Sequence, residues 1–418
     1  MRDVVFTGIG IVSPIGIGRE TFGQSLQEGT SGVRRLVGVG EDALPSQIGG
    51  QIVDFEPKEY VRPRKSLKVM SREIQFAYAA ADLAWQDAGL GGASADPERV
   101  GVICGCDTLY TDIRELVPVY RACMPDGEFQ YDRWGAHGLE ELFPLWMLKF
   151  LPNMPACHIS IARDARGPCN TLVMGEVSSL LAILEGAAAI RRGLADVMLV
   201  GGVGSRLQPS SLVWRGDANV SHCNDRPAEA CRPFDARRDG MVNSEGAALF
   251  VLESEDHARG RGARLLARLA GWGNCFETPD VEGRVAGRGI RRSIAQALRR
   301  ADWQPSEVGH VNAHGLSTPN DDPLEAQAIR DTLGDVPVTA PKSYFGNVGA
   351  GTGAMELAAS MLGASEGVVP RTLNYEVPDP ACPIDVIAGQ SRPANLPTVL
   401  ALNQARLGQA VAVAVIVE

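Results

Sequence analysis

Hydrophobic residues along this chain follow two alternating rhythms. Short apolar runs rich in Val, Ile, Ala and Gly predict β-strands, and apolar positions three or four residues apart predict amphipathic helices. Predicted strands cover residues 3–9, 100–104, 159–162, 196–201, 247–253, 264–271, 308–313, 336–339, 398–403 and 410–417. Predicted helices cover residues 72–88, 177–192, 287–301, 323–333 and 355–362. Strands that alternate with helices indicate an α/β fold with helix-covered sheets.

The strand–helix series occurs twice, and 418 residues are too many for one hydrophobic core. We therefore predict two halves, residues 1–255 and 256–418, joined by the charged, Gly-containing segment 254–264. A stretch from about 105 to 158 lacks sheet rhythm but carries several aromatic and Met side chains. We predict an insertion in the first half there. A cap, a subunit interface, a channel lining and ordinary core packing all remain open for it.

The charge of the chain narrows the choice of partners. The formal net charge is −10 at pH 7, and the sequence has no basic stripe of the kind that binds nucleic acid. The small basic cluster of Arg62, Arg64, Lys65 and Lys68 fits either a docking patch for an acidic carrier protein or a solvated face. No apolar run reaches the length of a membrane span, and the N-terminus has no signal-peptide pattern. We expect a cytoplasmic protein without a membrane partner.

Nine cysteines offer little metal chemistry. The count is odd, no CxxC pair occurs, and no His accompanies them at the spacing of metal ligands. Cys104 and Cys106 share one face of a predicted strand, and two sulfurs alone do not make a zinc site. We expect reduced, mostly buried thiols and no metal or other cofactor.

Two long motifs take the interpretation beyond fold class. Residues 232–248 read RPFDARRDGMVNSEGAA, and residues 311–326 read VNAHGLSTPNDDPLEA. With the start of the chain, the Lys-Ser pair at 342–343 and the segment GTGAME at 351–356, they resemble the β-ketoacyl-(acyl-carrier-protein) synthases of the thiolase superfamily. The resemblance covers nearly the whole chain.

This resemblance implies a thiolase-like five-layer α-β-α-β-α fold built from two duplicated halves, and commonly a dimer. It also implies a decarboxylative condensation of acyl and malonyl thioesters carried by acyl carrier protein. A cysteine accepts the acyl chain in that reaction. Two histidines donate hydrogen bonds to the thioester carbonyl as enolate charge develops on it.

The nucleophile of the resembled family does not carry over. It follows a Gly-Pro pair by eight residues and precedes the Asp of an Ala-Asp-Val-Met segment by twenty. Counting from Pro168 and from Asp196 reaches Glu176 in both cases. A carboxylate at a helix N-terminus benefits from the helix dipole but is a weak nucleophile. We predict that Glu176 is buried and faces His314 and Asn347; a plain helix-capping role for it also stays open.

The other site residues are partly retained. His314 matches the first histidine, whereas Asn347 stands in place of the second, in the string KSYFGN. Lys342 and Glu356 match supporting polar residues. The Gly-Phe-Gly-Gly loop of the family is replaced by NQARLGQA at 403–410, in which Leu407 and Gly408 are the near matches and candidate substrate-binding residues.

Three hypotheses follow for the function. The leading one is a non-condensing partner, similar to the chain-length factors of type II polyketide systems, that forms a heterodimer with an active ketosynthase paralogue. The second is an active enzyme with altered chemistry, such as a malonyl-thioester decarboxylase, which would use His314 and Asn347 without a nucleophile. The third is a noncanonical condensing enzyme or a homodimeric binding protein for acyl chains.

Overall fold

The computed structural model describes residues 2–38, 44–91, 95–216 and 218–418. Its strands are β1 Val4–Ser13, β2 Gly16–Ile17, β3 Val33–Arg35, β4 Ile48–Gly50, β5 Val100–Cys106, β6 Cys169–Leu172, β7 Val197–Ser205, β8 Glu245–Ser254, β9 Ala267–Phe276, β10 His310–Asn312, β11 Pro337–Thr339, β12 Val368–Val369, β13 Asp385–Val386, β14 Arg392–Pro393, β15 Thr398–Gln404 and β16 Gln409–Val417.

Its α-helices are α1 Arg19–Glu28, α2 Pro57–Tyr60, α3 Arg72–Asp87, α4 Ile113–Ala122, α5 Trp134–Glu141, α6 Met154–Arg163, α7 Ser178–Arg191, α8 Pro209–Arg215, α9 Glu255–Gly260, α10 Arg288–Ala301, α11 Asp321–Leu333, α12 Lys342–Phe345 and α13 Thr352–Ser365. Short 3₁₀ helices occupy Arg64–Val69, Pro97–Arg99, Tyr131–Arg133, Trp146–Phe150, Gly175–Val177, Pro227–Glu229, Pro305–Glu307 and Gly349–Gly351.

The strand order shows an internal duplication. Within the first half the order is β6-β5-β7-β8-β1, and within the second it is β11-β10-β15-β16-β9. In both sets the first two pairings are parallel and the last two are antiparallel. A short antiparallel contact between β1 and β9 joins the sets. This repeat confirms the prediction of two similar halves, whereas the boundary near residue 255 stays a prediction.

The helices form three layers around the two sets of strands. Helices α7 and α13 lie between them in the largest hydrophobic cluster, and α13 is buried from Thr352 to Gly363. Helices α3 and α6 cover the outer face of the first set, and α10 and α11 cover the outer face of the second. A helix buried on all sides needs apolar or small residues all round, as in α13. The result is the expected five-layer α-β-α-β-α fold.

One local prediction was wrong. Residues 159–162 form the last turns of helix α6 and not a strand, since Ile159 is buried while Ile161 points to solvent, as helical geometry dictates. A short apolar run with two β-branched residues does not distinguish a strand from a helix. Cys169 begins strand β6, which is the last strand of its set, and Cys169 is exposed. The insertion is helical, with α4, α5 and the start of α6.

Among the described residues, no helix is both long and apolar enough to cross a membrane. In that same part of the chain, no group of three or more His, Cys, Asp or Glu side chains is arranged to hold a metal ion.

Candidate active site

Glu176 lies in the 3₁₀ turn Gly175–Val177 that leads into α7. Gly175 has φ +64°, a conformation that glycine adopts without steric cost. The Ser178 hydroxyl accepts a hydrogen bond from the Met174 N–H (2.8 Å) and donates one to the Gly175 carbonyl (2.6 Å). The turn is therefore fixed, and the Glu176 carboxylate stands at the positive end of the α7 dipole. Its side chain is 16% exposed.

A buried arginine binds this carboxylate. Arg206 follows β7 directly, its side chain is 2% exposed, and its Nη2 donates to Oε1 of Glu176 at 2.6 Å. Asp107 follows the parallel neighbour β5, and its Oδ2 lies 3.8 Å from Nε of Arg206 and 3.7 Å from Nη2 of Arg215. Parallel strands end at the same edge of a sheet, so these residues meet there. Four charges of alternating sign therefore run from Glu176 to Arg215.

This arrangement sets the charge of Glu176. Burial raises the pKa of its carboxyl group, but the Arg206 guanidinium, the nearby His314 and hydrogen bonds together outweigh burial and lower that pKa to about 2. The same contacts raise the pKa of Arg206 against the opposing effect of burial. Glu176 is consequently an anion at neutral pH and a very weak base.

His314 lies two residues after β10, and its side chain is buried. Burial and the nearby Lys342 ammonium lower the pKa of His314 well below its usual range, although Glu176 is close enough to oppose the shift. The imidazole is therefore neutral at physiological pH. Its Nδ1 is buried and has no hydrogen-bond partner among the described residues.

Asn347 has a fixed orientation. Its Oδ1 accepts from the Gly349 N–H (3.0 Å) and the Thr352 hydroxyl (3.1 Å). Its Nδ2 consequently faces Oε1 of Glu176 at 3.4 Å. Glu176, Asn347 and His314 are thus brought together as the sequence predicts. Of Asn347 and His314, Asn347 alone makes a hydrogen bond with the Glu176 carboxylate.

Lys342 and Glu356 form a second buried pair. Nζ of Lys342 donates to Oε1 of Glu356 at 2.5 Å, and Nδ2 of Asn403 donates to Oε2 at 2.9 Å. The two charged side chains are 0% and 1% exposed. Burial raises the pKa of Glu356 to about 7, while the Lys342 ammonium acts in the opposite direction. Lys342 is close enough to His314 to affect its pKa, and neither member of the pair makes a hydrogen bond or ion pair with Glu176 among the described side chains.

Glu325 holds the peptide that carries His314. Its two carboxyl oxygens accept the N–H groups of His314 (2.7 Å) and Gly315 (2.8 Å). Burial raises the pKa of Glu325 to about 8, against the two amide hydrogen bonds that favour the charged form. The folded protein therefore binds a proton at Glu325 between about pH 4.5 and pH 8 that the unfolded chain releases.

This linkage gives a pH prediction. Because the folded state binds the extra proton, Glu325 makes the free energy of unfolding fall as pH rises, by about 1.4 kcal/mol for each pH unit in that window. We expect Glu325→Gln to remove this pH dependence. The difference in free energy of unfolding between wild type and variant should then change by about 1.4 kcal/mol between pH 6 and pH 7. Urea unfolding at both pH values measures it. The exposed Glu185→Gln is the control, and parallel curves for wild type and Glu325→Gln contradict the prediction.

Comparison with known proteins decides the family. The model of the β-ketoacyl synthase N-terminal domain matches residues 1–258, and that of the β-ketoacyl synthase C-terminal domain matches residues 267–376. The chain belongs to the β-ketoacyl synthase family.

Relatives of both the polyketide and the fatty-acid type share its length. The oxytetracycline polyketide putative β-ketoacyl synthase 1 of Streptomyces rimosus is 35% identical over 410 residues, covering 96% of this chain and 94% of the relative. The 3-oxoacyl-(acyl-carrier-protein) synthase 2 of Coxiella burnetii is 34% identical over 411 residues, with 96% and 94% covered. The solved ishigamide ketosynthase/chain length factor is similar in structure, with a TM-score of 0.85 at 26% identity and 100% and 99% coverage.

A second solved structure is a type II polyketide acyl-carrier protein in complex with its ketosynthase bound to the hexaketide. It has a TM-score of 0.85 at 29% identity, covering 100% of this chain and 99% of that chain.

The C-terminal loop of this family member forms the tight hairpin between β15 and β16. Leu407 is 75% exposed at its tip, and Gly408, with φ +96°, sits so close to Glu277 that a Cβ would lie 2.0 Å from the Glu277 carbonyl oxygen. The hairpin approaches the site through Ala405, whose Cβ would be 3.8 Å from a Cβ on Gly175. A substrate-binding role for Leu407 and Gly408 remains a prediction.

All nine cysteines are free thiols, and several are chemically quiet. Burial raises the pKa of Cys104, Cys231 and Cys382 to about 12 and that of Cys106 well above its usual range. A thiol is nucleophilic only as thiolate, so these four are inert at neutral pH.

Sequence reasoning missed Arg206 and Asp107. Each is a charged residue directly after a buried β-strand, and the two strands are neighbours in the sheet. The predicted strands 100–104 and 196–201 stop short of the observed ends at Cys106 and Ser205, so neither charge stood at a predicted strand end. The rule that parallel strands present their carboxyl ends together would have placed both charges beside Glu176 once the strand order was known.

Proposed function

We propose that this chain is a non-condensing member of the β-ketoacyl synthase family, in which Glu176 occupies the position of the nucleophilic cysteine. In this proposal it acts like a chain-length factor, as the partner of an active ketosynthase in polyketide or fatty-acid biosynthesis. The observation that carries the proposal is the 2.6 Å hydrogen bond that holds Glu176 to the buried Arg206.

The electrostatics of the pair oppose acyl transfer. A carboxylate whose pKa is about 2 is a poor nucleophile toward a thioester. Attack would produce a mixed anhydride and would take the charge from Glu176 while Arg206 stayed buried without its partner. Such an unpaired buried charge costs several kcal/mol, about the scale on which broken buried pairs are measured.

An active decarboxylase is the alternative, because His314 and the Nδ2 group of Asn347 both remain available to stabilise an enolate oxygen. The charge of Glu176 counts against this alternative. A malonyl carboxylate entering beside it would meet a like charge in a largely buried site.

The surface supports a protein partner. Strand β6 ends its set of strands, so one edge of its backbone is free to pair with another chain. Helix α6 lies beside β6, since the Ser160 hydroxyl is 3.4 Å from Sγ of Cys169, and it exposes 78% of Ile161. The neighbouring insertion exposes Tyr131, Leu139 and Met147. We propose that these exposed apolar side chains contribute to an interaction surface.

A basic surface patch suits the docking of an acyl carrier protein. Arg62, Arg64, Lys65 and Lys68 are all exposed, as a docking patch for an acidic acyl carrier protein requires. We place the protein in the cytoplasm with acyl and malonyl thioesters as the ligands of the assembly.

Two measurements test the proposed function together. We expect the purified chain to show no covalent mass increase with acyl-carrier protein and no acetyl-carrier protein from malonyl-carrier protein, by mass spectrometry. We also expect it to elute as a heterodimer when it is co-expressed with a Cys-His-His ketosynthase from the same genome. An acyl group on the isolated chain, or acetyl-carrier protein formed by it, contradicts the proposal.

A matched pair of surface variants controls the second measurement. Ile161→Lys places a charge beside β6 and should abolish the heterodimer. Val281→Lys changes a fully exposed residue in the loop after β9 and should leave the heterodimer intact. Equal loss in both variants argues against this interface.

A further inference from the structure

The Arg206 guanidinium has more hydrogen-bonding capacity than its contacts use. An arginine carries five N–H donors in a planar fork that suits two carboxylate oxygens. Here Nη2 contacts one oxygen of Glu176, and Nη1 faces the thioether sulfur of Met241 at 3.9 Å. Nε has no acceptor among the described residues; Asp107 is 3.8 Å away. A buried guanidinium of this kind is able to hold a carboxylate more fully than Glu176 does.

The surroundings of Arg206 are shaped for this group. Gly349 has φ +75°, and a Cβ there would lie 2.9 Å from Nε of Arg206 and 2.1 Å from Oδ2 of Asp107. A side chain at that position would displace both charged groups. Asn347 adds a second donor, because its Oδ1 is occupied and its Nδ2 points to the same Glu176 oxygen that Arg206 binds. Two fixed donors thus converge on one oxygen atom.

We infer that Arg206 and Asn347 form a carboxylate-binding site, and that the chain's own Glu176 occupies this site as an internal ligand. The charges agree with this inference. Glu176 and Asp107 balance Arg206 and Arg215, so removal of the Glu176 carboxylate leaves one excess positive charge in a largely buried place. A small monocarboxylate restores the balance. This site goes beyond the proposed function and does not depend on whether the wild-type chain transfers acyl groups.

Opening the site tests the inference. In Glu176→Ala, acetate should enter beside Arg206 and stabilise the folded state, raising the folding equilibrium constant about 100-fold at an acetate concentration of about 100 times its Kd. Urea unfolding is measured over a series of acetate concentrations, with chloride at equal ionic strength as the reference. The wild type, whose site is filled, should show no difference between acetate and chloride.

Two further variants make the test specific. Glu176→Ser opens the site with a side chain that also caps a helix, which guards against a folding defect of the alanine variant. The double variant Glu176→Ala with Arg206→Met lacks the guanidinium and should lose the acetate effect. Dependence on acetate in both opened variants, absent from the double variant, supports the site.

Three results overturn the inference: equal stabilisation by chloride, an undiminished acetate effect in the double variant, or no acetate effect in either opened variant. If neither variant folds in buffer, refolding in acetate is compared with refolding in chloride; recovery in acetate alone supports the site, and any other result overturns it. Because these unfolding measurements involve no thioester, their failure leaves the acylation test of the proposed function untouched.

Discussion

Replacing Arg206 by methionine is expected to lower the free energy of unfolding by about 3–5 kcal/mol at pH 7, the usual scale for removing one partner of a buried ion pair. The Glu176 carboxylate, which now receives a 2.6 Å hydrogen bond from Arg206, would remain largely buried and would keep Asn347 as its side-chain donor. Methionine keeps most of the volume of the arginine stem, so the loss reports charge and not a cavity. Urea unfolding at pH 7 measures it.

The double variant Arg206→Met with Glu176→Gln serves as the matched control, because it removes both charges and should recover most of the stability.

The stability contribution of the Glu176–Arg206 pair should change with pH in a definite direction. In wild type, the pKa of Glu176 lies below its ordinary value, so its contribution is complete above about pH 4.5 and is lost as pH falls toward 2. In Arg206→Met, burial raises that pKa, and the penalty should shrink as pH falls from 7 to 5. A penalty that is constant with pH would show that charge is not its cause.

Lys342→Met is expected to have an effect of the same size, about 3–5 kcal/mol at pH 8. Glu356 would lose the ammonium group that contacts its Oε1 at 2.5 Å and would keep only the Asn403 amide among its side-chain donors. Both members of this pair are almost completely shielded from solvent, so water does not compensate for the loss. Thermal and urea unfolding provide the measurement.

The stability loss in Lys342→Met should depend on pH, because burial already raises the pKa of Glu356 to about 7. In Lys342→Met that pKa should rise further, so the folded state takes up a proton and the variant is penalised less at pH 5 than at pH 8. The double variant Lys342→Met with Glu356→Gln retains an acceptor for Asn403 and should approach wild-type stability. If the double variant is as unstable as the single one, the ion pair is not the source of the effect.

Much of the fold is predictable because its patterns are local. The helix expected over 72–88 is confirmed as Arg72–Asp87, and the strand over 410–417 is confirmed within Gln409–Val417. Ile159 shows where local patterns fail. Its short apolar run suits a strand as well as a helix, and packing of α6 against α3 and β5 decides the outcome.

The candidate site also contains residues that the sequence predicted and residues that it did not. Glu176 is placed by its spacing from two anchors, and the other predicted site residues lie in recognisable motifs. The structure brings Glu176, His314 and Asn347 together, with Lys342 close to His314. Arg206 belongs to no such motif, and its partner is 30 residues away along the chain. Asp107 and Arg206 lie near Glu176 because β5 and β7 are adjacent, parallel strands in the sheet. Leu407 lies at an exposed hairpin tip, and its substrate-binding role stays a prediction.

The mutual dependence of Glu176 and Arg206 bears on ancestry. If the lineage once carried a cysteine, as the proposed function implies, then restoring it alone strands a buried guanidinium, and removing the arginine first strands a carboxylate. Either first step is disfavoured by several kcal/mol, about a third or more of the stability of a typical domain. Under the proposed function, this pair would therefore make a return to a cysteine-bearing condensing enzyme difficult by single substitutions.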